Sequence, residues 1–118
     1  APTILILDDN SGLIDLLVHY LSTHGCHVVA ATTGDQGLRL AQELVPDAIL
    51  LDIMMPHMDG WEVLQTLRTH PLTESLPVVI CSVINDPELA LSLGAEQVMS
   101  KPIRQENLIS VLQILGIV

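Results

Sequence analysis

The chain has 118 residues, 49% of them apolar, with 14 Asp and Glu against four Lys and Arg and a formal charge of −10. This is the length of one domain, expected to span residues 1–118, and it is too apolar to stay disordered. The charge disfavours direct contact with nucleic acid. Phe is absent and Tyr20 and Trp61 are the only aromatics, so there is no platform on which bases could stack.

No apolar run approaches the roughly 18 residues a membrane span needs, and no charged-then-apolar leader opens the chain. Cys26 and Cys81 sit inside apolar runs. They read as core thiols in a reducing cytoplasm rather than as a disulfide.

Strand and helix patterns alternate five times. Thr3 to Leu7 is the first strand, and Ser11 to His24 a helix stopped by Gly25. His27 to Ala31 is the second strand. Thr33-Gly34-Asp35 starts a helix that runs to Val45, and Pro46 closes it. Ala48 to Leu51 is the third strand, followed by a loop containing Pro56 and a helix from about Gly60 to Thr69. Pro77 opens the fourth strand, through Cys81. Asn85-Asp86-Pro87 starts a helix that ends near Gly94. Gln97 to Met99 is the fifth strand, and Arg104 to Leu115 the last helix.

This alternation with short connections predicts an α/β doubly wound parallel sheet. The second strand ends in nothing more reactive than Thr32 and Thr33, which suits a sheet edge. The flavodoxin-like (βα)5 order 2-1-3-4-5 satisfies this and sets strands one and three side by side at the switch point. In the first helix, Leu13, Leu16, Leu17, Tyr20 and Leu21 make one apolar face, while Ile14 and Val18 fall on the opposite flank. That pair is a candidate docking surface, weighed against incidental surface apolarity.

Four strands end in reactive polar residues: Asp8-Asp9, Asp52, Ser82 and Lys101-Pro102. Ligands of such sheets bind beyond the carboxyl ends of the strands. Asn10 and Ser11 are available to cap the first helix, so Asp8 and Asp9 are surplus to capping. Like charges about 4 Å apart repel by roughly 1 kcal/mol in water and about 4 near a protein surface. A hard cation would relieve that, and Mg2+ is the natural candidate. Asp52 sits where a strand end presents a carboxylate as a nucleophile, and attack on phosphorus would give an aspartyl phosphate. Lys101, the one lysine of the chain, could hold the acids together and grip a phosphoryl oxygen. Its bond to Pro102 could be cis. Ser82 alone reads as a turn residue; beside the others it could donate to a phosphoryl group.

These residues carry a resemblance. Asp8-Asp9 after an apolar strand, the stretch Leu51-Asp52-Ile53-Met54-Met55-Pro56-His57-Met58-Asp59-Gly60, Ser82, Leu93-Gly94-Ala95 and Lys101-Pro102 together resemble the receiver domain of two-component response regulators, over essentially the whole chain. The resemblance implies a signalling switch rather than an enzyme, one that catalyses only its own phosphorylation and dephosphorylation. Asp52 would accept a phosphoryl group from a histidine kinase or a histidine phosphotransfer domain in the cytoplasm. Asp9 and Asp52 would bind Mg2+ by carboxylate and Met54 by its backbone carbonyl, with Asp8 helping through water. Lys101 would pair with Asp52 and then with the phosphate. Ser82 would swing toward the phosphoryl oxygens and report to the face made by helix four, strand five and helix five.

Three positions depart from the family pattern. The switch position three before the lysine, usually aromatic, is Val98, which has no ring to bury. Val83 replaces a small residue after Ser82 and would narrow access. Ser82 and Lys101 stand 19 positions apart, about one helical turn shorter than in many free-standing regulators, as in receivers attached to hybrid sensor kinases. Met54 and Ile84 occupy the positions that tune hydrolysis in the family, and neither holds a water strongly, so slow self-dephosphorylation is expected.

Three rivals remain. A phosphatase of the haloacid dehalogenase type needs a second acid where Met54 stands. A pseudo-receiver independent of phosphorylation, acting as a protein-interaction module, is encouraged by Val83 and Val98 and opposed by the intact acids and Lys101. Nucleotide or flavin binding lacks a glycine-rich loop after the first strand. Output, cognate kinase, stimulus and oligomeric state are not legible.

Overall fold

A computed structural model describes residues 1–83 and 86–118. The elements are β1 (Thr3–Leu7), α1 (Ser11–Ser22), β2 (His27–Ala31), α2 (Gly34–Leu44), β3 (Ala48–Leu51), α3 (Gly60–Thr69), β4 (Val78–Ser82), α4 (Pro87–Ser92), β5 (Gln97–Ser100) and α5 (Gln105–Ile114). The five strands are parallel in the order β2-β1-β3-β4-β5, the flavodoxin-like order expected. β2 is the edge.

Alternation along the strands divides the core in two. Leu5, Leu7, Ile49, Leu51, Val78 and Ile80 point to one face and meet Ala41 of α2, Leu64 and Leu67 of α3 and Ala90 of α4. Ile4, Ile6, Leu50, Val79, Cys81 and Met99 point to the other and meet Leu17 and Leu21 of α1 and Leu108 and Leu112 of α5. Every residue of β3 and β4 is buried, as central strands covered on both faces must be. Where α2 crosses β1, an added Cβ on Gly37 would meet Leu7 Cδ1 at 2.1 Å, so a side chain there would force the buried Leu7 to move. Cys26 and Cys81 are buried and free, and burial pushes the Cys81 thiol up to about 12.

Several boundaries move. α1 stops at Ser22 with Thr23 as its cap, before the expected His24, and Gly25 follows at φ +78°. α2 ends at Leu44, and Val45 caps it in the left-handed region at φ 44°, an unusual place for a β-branched residue. β4 includes Ser82 and β5 includes Ser100, each one residue beyond its apolar run. The face of α1 is also corrected. Its buried arc is centred on Leu17 and Leu21. Ile14, expected on the opposite flank, packs against the core, and Val18 is half-buried. The residue that faces solvent is Leu16, at 40% exposure. At 100° per residue Leu16 lies about 120° from the midpoint of Leu17 and Leu21, against about 40° for Ile14.

Candidate functional site

Strand register builds the site. Leu7 pairs with Leu51 and Ile80 also pairs with Leu51, so Asp8 and Asp52 leave adjacent central strands at the same level. Ser82 pairs with Ser100, and Lys101 follows with its amide donating to Ser82 O at 3.0 Å. The backbone continues this order past the strands, with Asp52 N donating to Leu7 O at 2.9 Å and Asp8 N to Ala31 O at 3.1 Å.

Lys101 Nζ donates to Asp8 Oδ2 at 2.8 Å and to Asp52 Oδ2 at 3.1 Å. The second oxygen of each acid is held by backbone. Asp8 Oδ1 accepts from Asn10 N and Asp52 Oδ1 from Met54 N, both at 2.9 Å. Asn10 Oδ1 in turn caps α1, accepting from Leu13 N at 3.0 Å, so the capping duty expected of Asn10 is met without either acid. Asp8, Asp52 and Ser82 are buried, while Asp9 is exposed. Burial works to lower the Lys101 pKa, but its bonds to Asp8 and Asp52 outweigh that and raise it. The Lys101–Pro102 peptide is cis.

Carboxylate oxygens of Asp8, Asp9 and Asp52 lie within 4.8 Å of one another. Three acids against one ammonium leave a net negative pocket. All donors are hard oxygens, the set Mg2+ prefers over softer metals. Two oxygens on one Mg2+ lie at most about 4.2 Å apart, given bonds of ~2.1 Å. The cluster is thus compact enough to hold a hard cation such as Mg2+.

Of the residues read from the sequence, Asp8, Asp9, Asp52 and Lys101 converge, and Ser82 ends the neighbouring strand. Met54 is joined to the acid through its amide, and its side chain is exposed. Val98 lies on β5, half-buried against the core. Val83 is strongly exposed beside Ser82. Ile84, expected to tune hydrolysis, and Asn85, expected to start α4, lie outside the described residues. Lys101 was expected to hold the acids together, and the structure names them: Asp8, across 93 positions, as well as Asp52.

The model of the response regulator receiver domain matches residues 4–113. The chain belongs to this family. It is 36% identical over 112 residues to the DNA-binding dual master transcriptional regulator RpaA of Synechocystis, covering 92% of this chain and 46% of that protein. To the alkaline phosphatase synthesis transcriptional regulatory protein PhoP of Bacillus subtilis it is 36% identical, covering 84% of this chain and 42% of that one. It thus spans less than half of these relatives. Among solved structures, the chemotaxis protein CheY4 of Vibrio cholerae superposes with a TM-score of 0.89 at 27% identity, covering 97% of this chain and 98% of that one. The receiver domain of a sensor histidine kinase from Pseudomonas aeruginosa PAO1 superposes at 0.88 with 26% identity, covering 98% of each chain, and has a magnesium ion in its active-site cleft. The likeness to receivers reached from residues alone is thereby shown. No helix among the described residues is long and apolar enough to cross a membrane.

Proposed function

We propose that this receiver domain is a phosphoacceptor switch and that Asp52 is its acceptor. The observation that carries this is the forked contact of Lys101 Nζ with Asp8 and Asp52 at 2.8 and 3.1 Å, beside an exposed third acid. In this reading Asp52 attacks the phosphorus of a partner's phosphohistidine. An O–P bond forms as the N–P bond breaks, and the imidazole leaves with a proton. The amide of Met54 and the ammonium of Lys101 orient the attacking carboxylate. Once Asp52 is phosphorylated, the negative charge sits on the phosphoryl oxygens, and Lys101 turns to one of them. Ser82 is the hydroxyl donor to that group. Asp9 and Asp52, with the Met54 carbonyl and Asp8 through water, are the residues that would hold Mg2+, which supplies charge neutralisation when bound.

The partner is a histidine kinase or a histidine phosphotransfer domain in the cytoplasm. Val98 relays the change with less side-chain motion than an aromatic would. The domain turns over no substrate besides its own acyl phosphate.

The test is intact mass after incubation with Mg2+ and acetyl phosphate. The wild type should gain one phosphoryl group, and Asp52→Asn none. A wild type that gains nothing would return the interaction-module reading. Steady hydrolysis of a generic phosphate ester would revive the phosphatase.

A further inference from the structure

The chain's four methionines differ sharply in exposure. Met54 is 53% exposed, Met55 5% and Met99 7%, and Met58 is half-buried against the core. Met54 is also the residue whose amide binds Asp52 Oδ1 at 2.9 Å. Two residues of chain span at most about 7 Å, so the most exposed methionine has its Cα no farther than that from the acceptor's.

We propose that Met54 is a peroxide-sensitive modification site whose sulfoxide shortens the life of the acyl phosphate on Asp52; the second half of this rests on the phosphoacceptor reading. The sulfur attacks one oxygen of hydrogen peroxide. The S–O bond forms as the O–O bond breaks, sulfur gives up two electrons, and the other oxygen takes up a proton and leaves as water. A thioether is a weak acceptor. The sulfoxide oxygen is polar and accepts strongly, so it can hold a water beside the acyl phosphate. One neutral hydrogen bond to the attacking water corresponds to a rate change of roughly two- to tenfold.

The experiment treats the whole chain with graded hydrogen peroxide and follows each methionine by fragment-ion mass mapping. Oxidised and untreated samples are then phosphorylated with acetyl phosphate and Mg2+, and decay of the phosphorylated mass is timed after the donor is removed. Met54 should oxidise before Met55 and Met99, and the oxidised protein should lose its phosphate two- to tenfold faster. Methionine sulfoxide reductases should reverse the change. Met54→Leu, compared with itself before and after peroxide, should show no acceleration. Equal oxidation of the buried methionines, an unchanged decay once Met54 is oxidised, or an equal response in Met54→Leu would overturn the inference. If the untreated protein takes up no phosphate, the phosphoacceptor reading fails and the lifetime half falls with it. The mass map still decides whether Met54 is the reactive thioether.

Discussion

Two cations sit at opposite ends of one sheet and do different work. At the carboxyl ends of the strands, Lys101 faces the carboxylates of Asp8 and Asp52. At the other end, Arg68 on α3 donates from Nε to Gly94 O at 2.7 Å and from Nη1 to Glu74 O at 2.9 Å. A longer contact of 3.5 Å reaches Thr73 O. Arg68 ties the loop after α3 to the turn before β5. Gly94, at φ +105°, leaves room that an added Cβ would close to 2.9 Å from the Arg68 side chain. Burial lowers the Arg68 pKa, and Glu96 pulls it back up. Carbonyls are neutral acceptors with nothing to exchange, so Arg68 is a fixed clamp. Carboxylates in excess of their cation can be traded for a metal or a phosphoryl group. The same kind of donor is structural at one end and, in the proposed function, switchable at the other because its acceptors differ in charge.

Lys101→Met gives the sharpest break. Uptake of phosphate from acetyl phosphate should fall about 100-fold, the usual loss when a positioned donor to developing charge is removed, whereas Arg68→Met should leave uptake per folded molecule unchanged. Equal losses in both would erase the contrast.

Arg68→Met should cost about 1–2 kcal/mol in urea unfolding, since it removes a charged donor from the part-buried carbonyl of Gly94 and from that of Glu74. A loss within error would make the clamp idle. Asp9→Asn tests the excess of acid. It should raise metal-free stability by about 0.5–1 kcal/mol at low salt, with screening shrinking the gain. It should also abolish stabilisation by Mg2+, read as a shift in Tm or in Trp61 fluorescence.

Val45→Gly relieves a left-handed valine at the Arg68 end. Strain of about 1–2 kcal/mol is lost and about 0.5–1 is given back as backbone entropy, so a net gain of roughly 0.5 kcal/mol is expected from the urea midpoint.

The smallest effect at ordinary pH is that of pH itself. Lys101 is raised above its ordinary 10.5, so the stability it adds is complete below that value and is lost only as pH rises through the folded value. The unfolding free-energy difference between wild type and Lys101→Met should be flat from pH 7 to 10 and shrink above. A decline beginning near neutrality would contradict the ion pair.

Much of this was legible because the signals are local. Apolar runs ending in Asp8, Asp52 and Ser82 mark both strands and site, since parallel strands expose their chemistry only at the end. Thr32 and Thr33 placed β2 at the edge for the same reason. Helix ends were less legible. Val45 and Thr23 act as caps through backbone geometry that composition does not announce. The face of α1 was misjudged because Leu16 and Ile14 are both apolar, and only the position of the sheet decides which one it covers. Arg68 reads as an ordinary helix residue until Gly94, 26 positions away, comes within reach.

The amino-acid order alone determined the elements, their alternation and the residue types that could bind a cation and a phosphoryl group, because periodicity and side-chain chemistry reside within a few neighbouring positions. The tertiary structure alone decided who meets whom: Lys101 with Asp8 as closely as with Asp52, Arg68 with Gly94, Leu16 in solvent. Such pairings join residues far apart in sequence, and only the closing of the sheet and its crossovers brings them within a hydrogen bond's length.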